Sequence, residues 1–432
     1  MPTNILIIGG GAGGLVLATK LGNTLGKRGL ANITLVDAQP THLWKPRLHE
    51  VAAGVINSYV DELPYAAHAR QHHFRFVLGR LKGIDRAEQR VTLERYEIDG
   101  AEIIAERTLP YDTLVLALGS QTNDFGTAGA REHCIFLDQR DAAERFHREF
   151  INTYLKASTQ QSERGSQRFN IAIVGAGATG VELAAELDHA ADALYLYGFD
   201  GIQPDNVSIT IIEAADRVMP ALLPEASKAI SKQLESMYIN VLCNERVTEV
   251  TSEGVKTDSG KFIPAQLKVW SAGVKASPLL SKLDGLSTNR INQIKVDGHL
   301  RSIDDPRIFA LGDCAECIPE GSDKPVPPRA QVAAQQADYL AKALKRAHSN
   351  KSTKAFKYKD KGSLVSLSKS GSVGQLMGNL SGDFTFEGRL ARWFYIMLYR
   401  LHQRSLHGTL KMCLLIIRDR LNKRTNPKIK LH

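Results

Sequence analysis

The sequence is short of cysteine. Five among 432 residues, an odd number scattered along the chain, do not make the paired framework of a small secreted domain. It also lacks any apolar run approaching the ~18 residues that a membrane-spanning helix needs. The longest runs near the C-terminus, Trp393 to Tyr399 and Met412 to Ile417, are far shorter. Low-complexity tracts are missing, which argues against long disordered segments. The opening run Asn4-Ile5-Leu6-Ile7-Ile8 reads as a strand placed too early to leave room for a signal peptide. A reduced, cytosolic setting is therefore expected, with any membrane contact peripheral.

Most of the chain also lacks net charge. From Arg389 to His432 there are eleven Lys and Arg against one acid, Asp419, a net of +10, whereas the whole chain carries +9. The basicity belongs to the tail. With hydrophobic residues at 43%, a chain of this length can build two or three cored domains.

What is present is a repeated motif. Ile5-Leu6-Ile7-Ile8 runs into Gly9-x-Gly11-x-x-Gly14 and then into a helical pattern through Leu25. Strand, glycine turn and helix in that order form a dinucleotide-binding fingerprint: the glycines permit the tight turn and the approach of a pyrophosphate to the helix N-terminus. The following strand, Ile33 to Val36, ends at Asp37, placed to accept hydrogen bonds from a ribose. The unit recurs as Ile171 to Val174, Gly175-x-Gly177-x-x-Gly180, a helix through Leu187, and the strand Ser208 to Ile212 ending at Glu213. A carboxylate at Glu213 repels a 2′-phosphate, so this second site should prefer NADH to NADPH.

Further strands end in glycine. Tyr111 to Ser120 closes on Ala117-Leu118-Gly119, Lys268 to Gly273 closes on Ala272-Gly273, and Arg307 to Asp313 places an acid beside Gly312. Paired fingerprints, strand–glycine linkers and a late Gly-Asp resemble the two-dinucleotide-binding flavoproteins of glutathione-reductase type. That resemblance implies an α/β fold with two Rossmann-like dinucleotide-binding domains, the first holding the FAD adenosine half and the second the nicotinamide cofactor. It also implies that Asp313 contacts the ribityl–pyrophosphate region.

The redox cysteines that a dithiol reductase needs after its first unit are missing, since His42 to Gly54 contains none. Cys314 and Cys317 read as small packing residues. A sulfide:quinone oxidoreductase, the rival reading alongside other NADH-dependent flavoprotein reductases, would need a cysteine pair near the flavin, for which Cys134 and Cys317 are the candidates.

After Pro327-Pro328-Arg329 comes a predicted helix, Ala330-Gln331-Val332-Ala333-Ala334-Gln335-Gln336, on which Gln331 and Gln335 share a face. If its N-terminus points at the flavin pyrimidine, its dipole stabilises an anionic reduced ring, and small Ala330 and Ala333 leave room for a flat ring. Spacing alone favours a surface glutamine pair. The Ala-Gln-x-Ala-x-Gln run following the late aspartate, with Trp44-Lys45-Pro46 and Gly177-Ala178-Thr179-Gly180-Val181-Glu182, is similar over essentially the whole chain to the type II NADH:quinone oxidoreductases, single-subunit respiratory dehydrogenases.

This resemblance implies non-covalent FAD, NADH as substrate, a membrane quinone as acceptor, no metal, a homodimer, and a place on the cytoplasmic face of the inner membrane without proton pumping. It assigns FAD to Gly9, Gly11, Ala12, Gly13, Gly14, Asp37, Lys45, Ala117, Gly119, Asp313, Ala330 and Gln331. NADH falls to Gly175, Gly177, Ala178, Thr179, Gly180, Glu182, Glu213, Ala272 and Gly273, and catalysis to Glu182, Gln331 and Gln335. Glu182 is placed near the flavin–nicotinamide stack, where it positions nicotinamide or relays protons; its other reading is an acid in a helix first turn. The expected domains are 1–125 with 285–345 for FAD, 126–284 for NADH, and 346–432 as a membrane-anchoring region.

The tail supports that last assignment. Leu390, Trp393, Phe394, Met397, Leu398 and Leu401 form a helical apolar stripe, as do Leu410, Cys413, Leu414, Ile417 and Leu421, with Arg392, Arg400, Arg404, Lys411 and Arg418 interleaved and Tyr395 and Tyr399 as further interfacial aromatics. Such helices lie in an anionic headgroup layer. Packing on the body or a dimer seam is the other reading of the same stripes, and a nucleic-acid arm is not expected.

Overall fold

The computed structural model describes residues 2–57, 62–164, 168–199, 202–368, 372–376, 384–387, 389–425 and 429–430. It divides into two compact units, one comprising 1–44, 62–121 and 274–359 and the other 45–61, 122–273 and 360–432. Along the chain the parallel strands are β1 (Thr3–Ile8), β2 (Ala31–Asp37), β3 (Arg75–Leu78), β4 (Thr113–Leu116), β5 (Ile135–Phe136), β6 (Phe169–Val174), β7 (Val207–Ile212), β8 (Asn240–Leu242), β9 (Leu267–Trp270) and β10 (Ile308–Ala310). The helices that matter for the site are α1 (Gly14–Thr24), α2 (Leu48–Ala52), α3 (Arg140–Arg164), α4 (Ala178–Leu196), α5 (Ala330–His348) and α6 (Arg389–Thr425).

The first unit carries a five-stranded parallel sheet in the order β10-β4-β1-β2-β3. The second repeats the arrangement as β5-β9-β6-β7-β8. Central parallel strands are covered on both faces, so β1 and β6 read as unbroken apolar runs rather than alternating ones. Ile7 and Ile173 are fully buried. Leu6, Ile8, Val36, Leu114, Leu116 and Ile308 join in the core of the first unit, and Ala172, Val174, Ile212, Val255 and Trp270 in that of the second. Each large aliphatic side chain so buried contributes about 1.5–3 kcal/mol.

The end of the chain adds an antiparallel sheet of Ser363–Ser366, Ser372–Leu376 and Phe384–Glu387, followed by α6. The two apolar stripes of the tail meet at Gly408, whose φ of 79° and ψ of 173° break α6 into two arms. Arg400 on the first arm donates to Asp419 on the second at 2.8 Å, so the tail's lone acid clasps the arms into a hairpin. Trp393, Met397, Leu398, Leu401, Leu410, Leu414, Ile417 and Leu421 are exposed; the side chains of Leu390 and Arg392 lie outside the described residues. Tyr395 and Tyr399 differ from the expectation of open interfacial aromatics. Both are half-buried, and Tyr399 lies under the Arg47 guanidinium, 4.8 Å from the ring centre. Among the described residues no helix is long and apolar enough to cross a membrane.

Candidate functional site

The two glycine turns are near-copies in geometry. Gly9 has φ +104° and Gly175 φ +103°, a region where a side chain is strained. A Cβ on Gly14 would sit 1.8 Å from the Gly9 carbonyl oxygen, and one on Gly180 would sit 2.1 Å from that of Gly175. Helix and strand therefore pack backbone to backbone in both turns. Over Gly11 and Gly177, in contrast, a Cβ would meet nothing within 4 Å. Each cradle is thus closed on its inner side and open where a pyrophosphate would lie against the start of α1 or α4.

The acids complete the match. Asp37 accepts from Gly10 N at 2.6 Å and Gln39 N at 2.8 Å. Glu213 accepts from Ala176 N at 2.7 Å and Ala215 N at 2.8 Å. Fixed by two main-chain donors each, both carboxylates keep further lone pairs for ribose hydroxyls. Burial pushes the Asp37 carboxyl above its ordinary range, and the Gly10 and Gln39 donors oppose that. At the strand ends, Ala117 closes on Gly9 and Ala272 on Gly175, while Gly119 and Gly273 both have φ +67°. Ala12 lies half-buried within the first turn, and Ala178 and Thr179 are exposed at the start of α4.

Asp313 is held at two points within the first unit, and the glycine before it at a third. Ser120 Oγ donates to its carboxylate at 2.7 Å, and Gln293 Nε2 donates to its carbonyl at 2.9 Å. The preceding Gly312, at φ +71°, donates its N–H to Gln336 Oε1 at 2.6 Å. Gln336 is fully buried. These groups fit a flavin dinucleotide: an open glycine cradle, a ribose-ready acid and a braced Gly-Asp turn lie along the carboxyl ends of one parallel sheet.

Helix α5 begins at Ala330, with Gln331 and Gln335 half-buried. Gln335 is paired with the main chain of Lys359, donating to its carbonyl at 2.8 Å and accepting from its N–H at 3.1 Å. Gln331 Oε1 accepts from Tyr358 at 3.0 Å and from Gln335 at 3.4 Å. Ala333 is small for a different reason from the one expected. It is buried, and a Cβ on Gly13 or Gly312 would touch it at 3.4 and 3.3 Å, so it lets α5 pack against the glycine turns.

Lys45 and Glu182 belong to the second unit. Lys45 opens a 3-10 turn, Lys45–Arg47. Glu182, in the first turns of α4, is 6% exposed and lies 3.3 Å from His49 Nδ1 on α2. Ser366 N donates to its other oxygen at 3.0 Å. Burial raises the Glu182 carboxyl well above its ordinary value, with Glu50 and Glu186 adding repulsion. Burial also lowers the His49 imidazole to about 4. Both groups thus favour their neutral forms. His49, Gln293, Gln336 and Tyr358 escaped the sequence reading. For Gln336 a signal existed: it falls on the apolar stripe Val332, Ala333, Ala337, Leu340, where an amide needs a partner.

Three buried thiols, those of Cys134, Cys314 and Cys317, are held in the protonated form. Burial pushes Cys314 and Cys317 to about 11 and Cys134 to about 12. Cys134 lies in the second unit and Cys317 in the first.

Residues 3–337 match the pyridine nucleotide-disulphide oxidoreductase family. A type II NADH:quinone oxidoreductase of Haemophilus influenzae is 44% identical over 99% of this chain and 100% of its own. The chain belongs to the type II NADH:quinone oxidoreductases. A Staphylococcus aureus relative of the same name is 31% identical over 87% of this chain and 90% of its own. In solved structures the fold recurs in NDH2 of Plasmodium falciparum in complex with NADH, at 20% identity and a TM-score of 0.85, with both chains fully covered. It recurs also in the sulfide:quinone oxidoreductase of Aquifex aeolicus, at 18% identity and 0.74, covering 94% of this chain and 92% of that one. The α/β fold with paired parallel sheets expected from the sequence is the fold observed.

Proposed function

We propose that the chain is an FAD-dependent NADH:quinone oxidoreductase that does not pump protons. One observation carries the reading: a single chain holds two matched glycine cradles, each with its own braced carboxylate. When bound, FAD would supply a two-electron relay between NADH and the quinone.

The protein's own residues orient and exclude. Gly9, Gly11, Ala12, Gly13 and Gly14 seat the FAD pyrophosphate and Asp37 its ribose, with Lys45, Ala117, Gly119, Asp313 and Ala330 along the rest. Gly175, Gly177, Ala178, Thr179 and Gly180 seat the NADH pyrophosphate. Glu213 takes the ribose hydroxyls and rejects a 2′-phosphate, and Ala272 and Gly273 close the strand end. Glu182, kept protonated by burial, holds a proton at its carboxyl for the acceptor side of the reaction. Gln331 and Gln335 face the quinone. The exposed apolar residues of the α6 hairpin, with Arg404 and Lys411 exposed beside them, rest on an anionic leaflet from which the quinone enters. The buried, protonated thiols of Cys134 and Cys317 argue against the sulfide:quinone alternative.

Purified protein reconstituted with FAD is assayed with NADH or NADPH and a soluble quinone. Quinone reduction that depends on FAD and favours NADH supports the reading; no NADH oxidation with any quinone rejects it.

A further inference from the structure

Tyr358 lies outside every motif of the sequence, yet its hydroxyl donates to Gln331 at 3.0 Å. The neighbouring residue fixes what that contact means. A main-chain N–H can meet only an amide oxygen, and a main-chain carbonyl only an amide NH2. Lys359 offers both to Gln335, N–H to Oε1 at 3.1 Å and carbonyl to Nε2 at 2.8 Å. The orientation of the Gln335 amide is therefore dictated by backbone.

Its Nε2 then reaches Gln331 at 3.4 Å, so the atom it meets must be the oxygen. The Tyr358 hydroxyl donates to the same Oε1. Orientation passes from the Lys359 backbone through Gln335 to Gln331, and Tyr358 locks the last step. The Gln331 amide thus turns its oxygen towards the strap formed by Tyr358 and Lys359.

We propose that Tyr358, with the Lys359 main chain, is a positioning device that holds the Gln331 amide so that its N–H groups meet a quinone carbonyl. This rests on the reading of Gln331 as a quinone-facing residue. A quinone has only acceptor oxygens, and negative charge builds on them during reduction. An amide turned the other way would oppose that charge, whereas preset donors stabilise it without reorganising. The strap raises affinity by removing the wrong orientation in advance.

The test is a double-mutant cycle on FAD-loaded enzyme with a water-soluble benzoquinone. Tyr358→Phe keeps the ring and removes the lock. It should raise the KM for quinone about fivefold, the weight of one oriented hydrogen bond. The KM for NADH and the rate of flavin reduction by NADH without quinone should stay unchanged. Tyr358→Phe added to Gln331→Ala should cost nothing further, because the tyrosine acts only through that amide. Equilibrium binding of the same benzoquinone, followed by tryptophan fluorescence, should weaken in parallel.

An unchanged quinone KM in Tyr358→Phe, with Gln331→Ala impaired, would overturn the proposal alone, as would fully additive effects. Unaltered quinone kinetics in Gln331→Ala would overturn the quinone-facing reading and the proposal with it.

Discussion

His49 Nδ1 stands 3.3 Å from Glu182 Oε2, both side chains almost wholly buried. Arg47, Glu50, Glu186 and Tyr395 supply the surrounding charge and titratable groups. Their ordinary values are 6.5 for the imidazole and 4.5 for the carboxyl. With its folded value raised, Glu182 contributes stability that is full below 4.5 and is lost as pH rises through the raised value. His49 runs the other way, costing stability as pH falls from 6.5 towards about 4.

Glu182→Gln removes only the first of these, and its amide oxygen can still accept from Ser366. Melting temperatures measured against pH should match wild type in acid and exceed it increasingly as pH rises above 4.5. Turnover with quinone should fall about a hundredfold if the carboxyl passes a proton. A variant less stable than wild type on the alkaline side contradicts this account of the buried pair.

Gln336 braces the turn that presents Asp313. Gln336→Leu keeps bulk but leaves the Gly312 N–H buried without an acceptor, a cost of about 1–3 kcal/mol. FAD affinity, titrated into apoprotein, should weaken about tenfold or more, with a matching loss of thermal stability. Unchanged FAD binding would assign Gln336 to packing alone.

The two cradles were legible because their chemistry is local: a strand, three glycines and an acid at fixed spacing reproduce the same turn wherever they fold. The tail's two apolar stripes were legible too, while the break between them at Gly408 came only with the structure. Asp419 stood out as the tail's lone acid, but its partner, Arg400, is a tertiary choice. His49, Gln293 and Tyr358 are similar cases. Each acts through a contact made across a long stretch of chain, such as His49 with Glu182, and no periodicity announces it. Ala333 was read as space for a ligand because composition records smallness and not what is packed against it.

The proposed preference for NADH places cofactor choice on Glu213. Glu213→Gln removes the charge that opposes a 2′-phosphate while keeping an oxygen for Ala176 N or Ala215 N. The ratio of kcat/KM for NADPH over NADH should rise about tenfold, equivalent to 1.4 kcal/mol of relieved repulsion. A ratio that does not move would place the discrimination elsewhere.

The proposed membrane attachment would rest on the α6 hairpin. Arg404 and Lys411 are exposed, and each base near an anionic surface adds about 1 kcal/mol. The double variant Arg404→Gln/Lys411→Gln should bind anionic vesicles roughly thirtyfold more weakly in sedimentation. Added salt should weaken the wild type more than the variant. Equal binding would move the contact to another surface.

The central claim is that one chain passes electrons from NADH through bound FAD to quinone. Rapid mixing under anaerobic conditions tests it directly, following flavin absorbance in two steps. The account predicts that one equivalent of NADH bleaches the bound FAD and that one equivalent of quinone then restores it, even with Cys134 and Cys317 both replaced by Ser. Flavin that NADH reduces but quinone leaves bleached, or that recovers only when those cysteines are present, would contradict it.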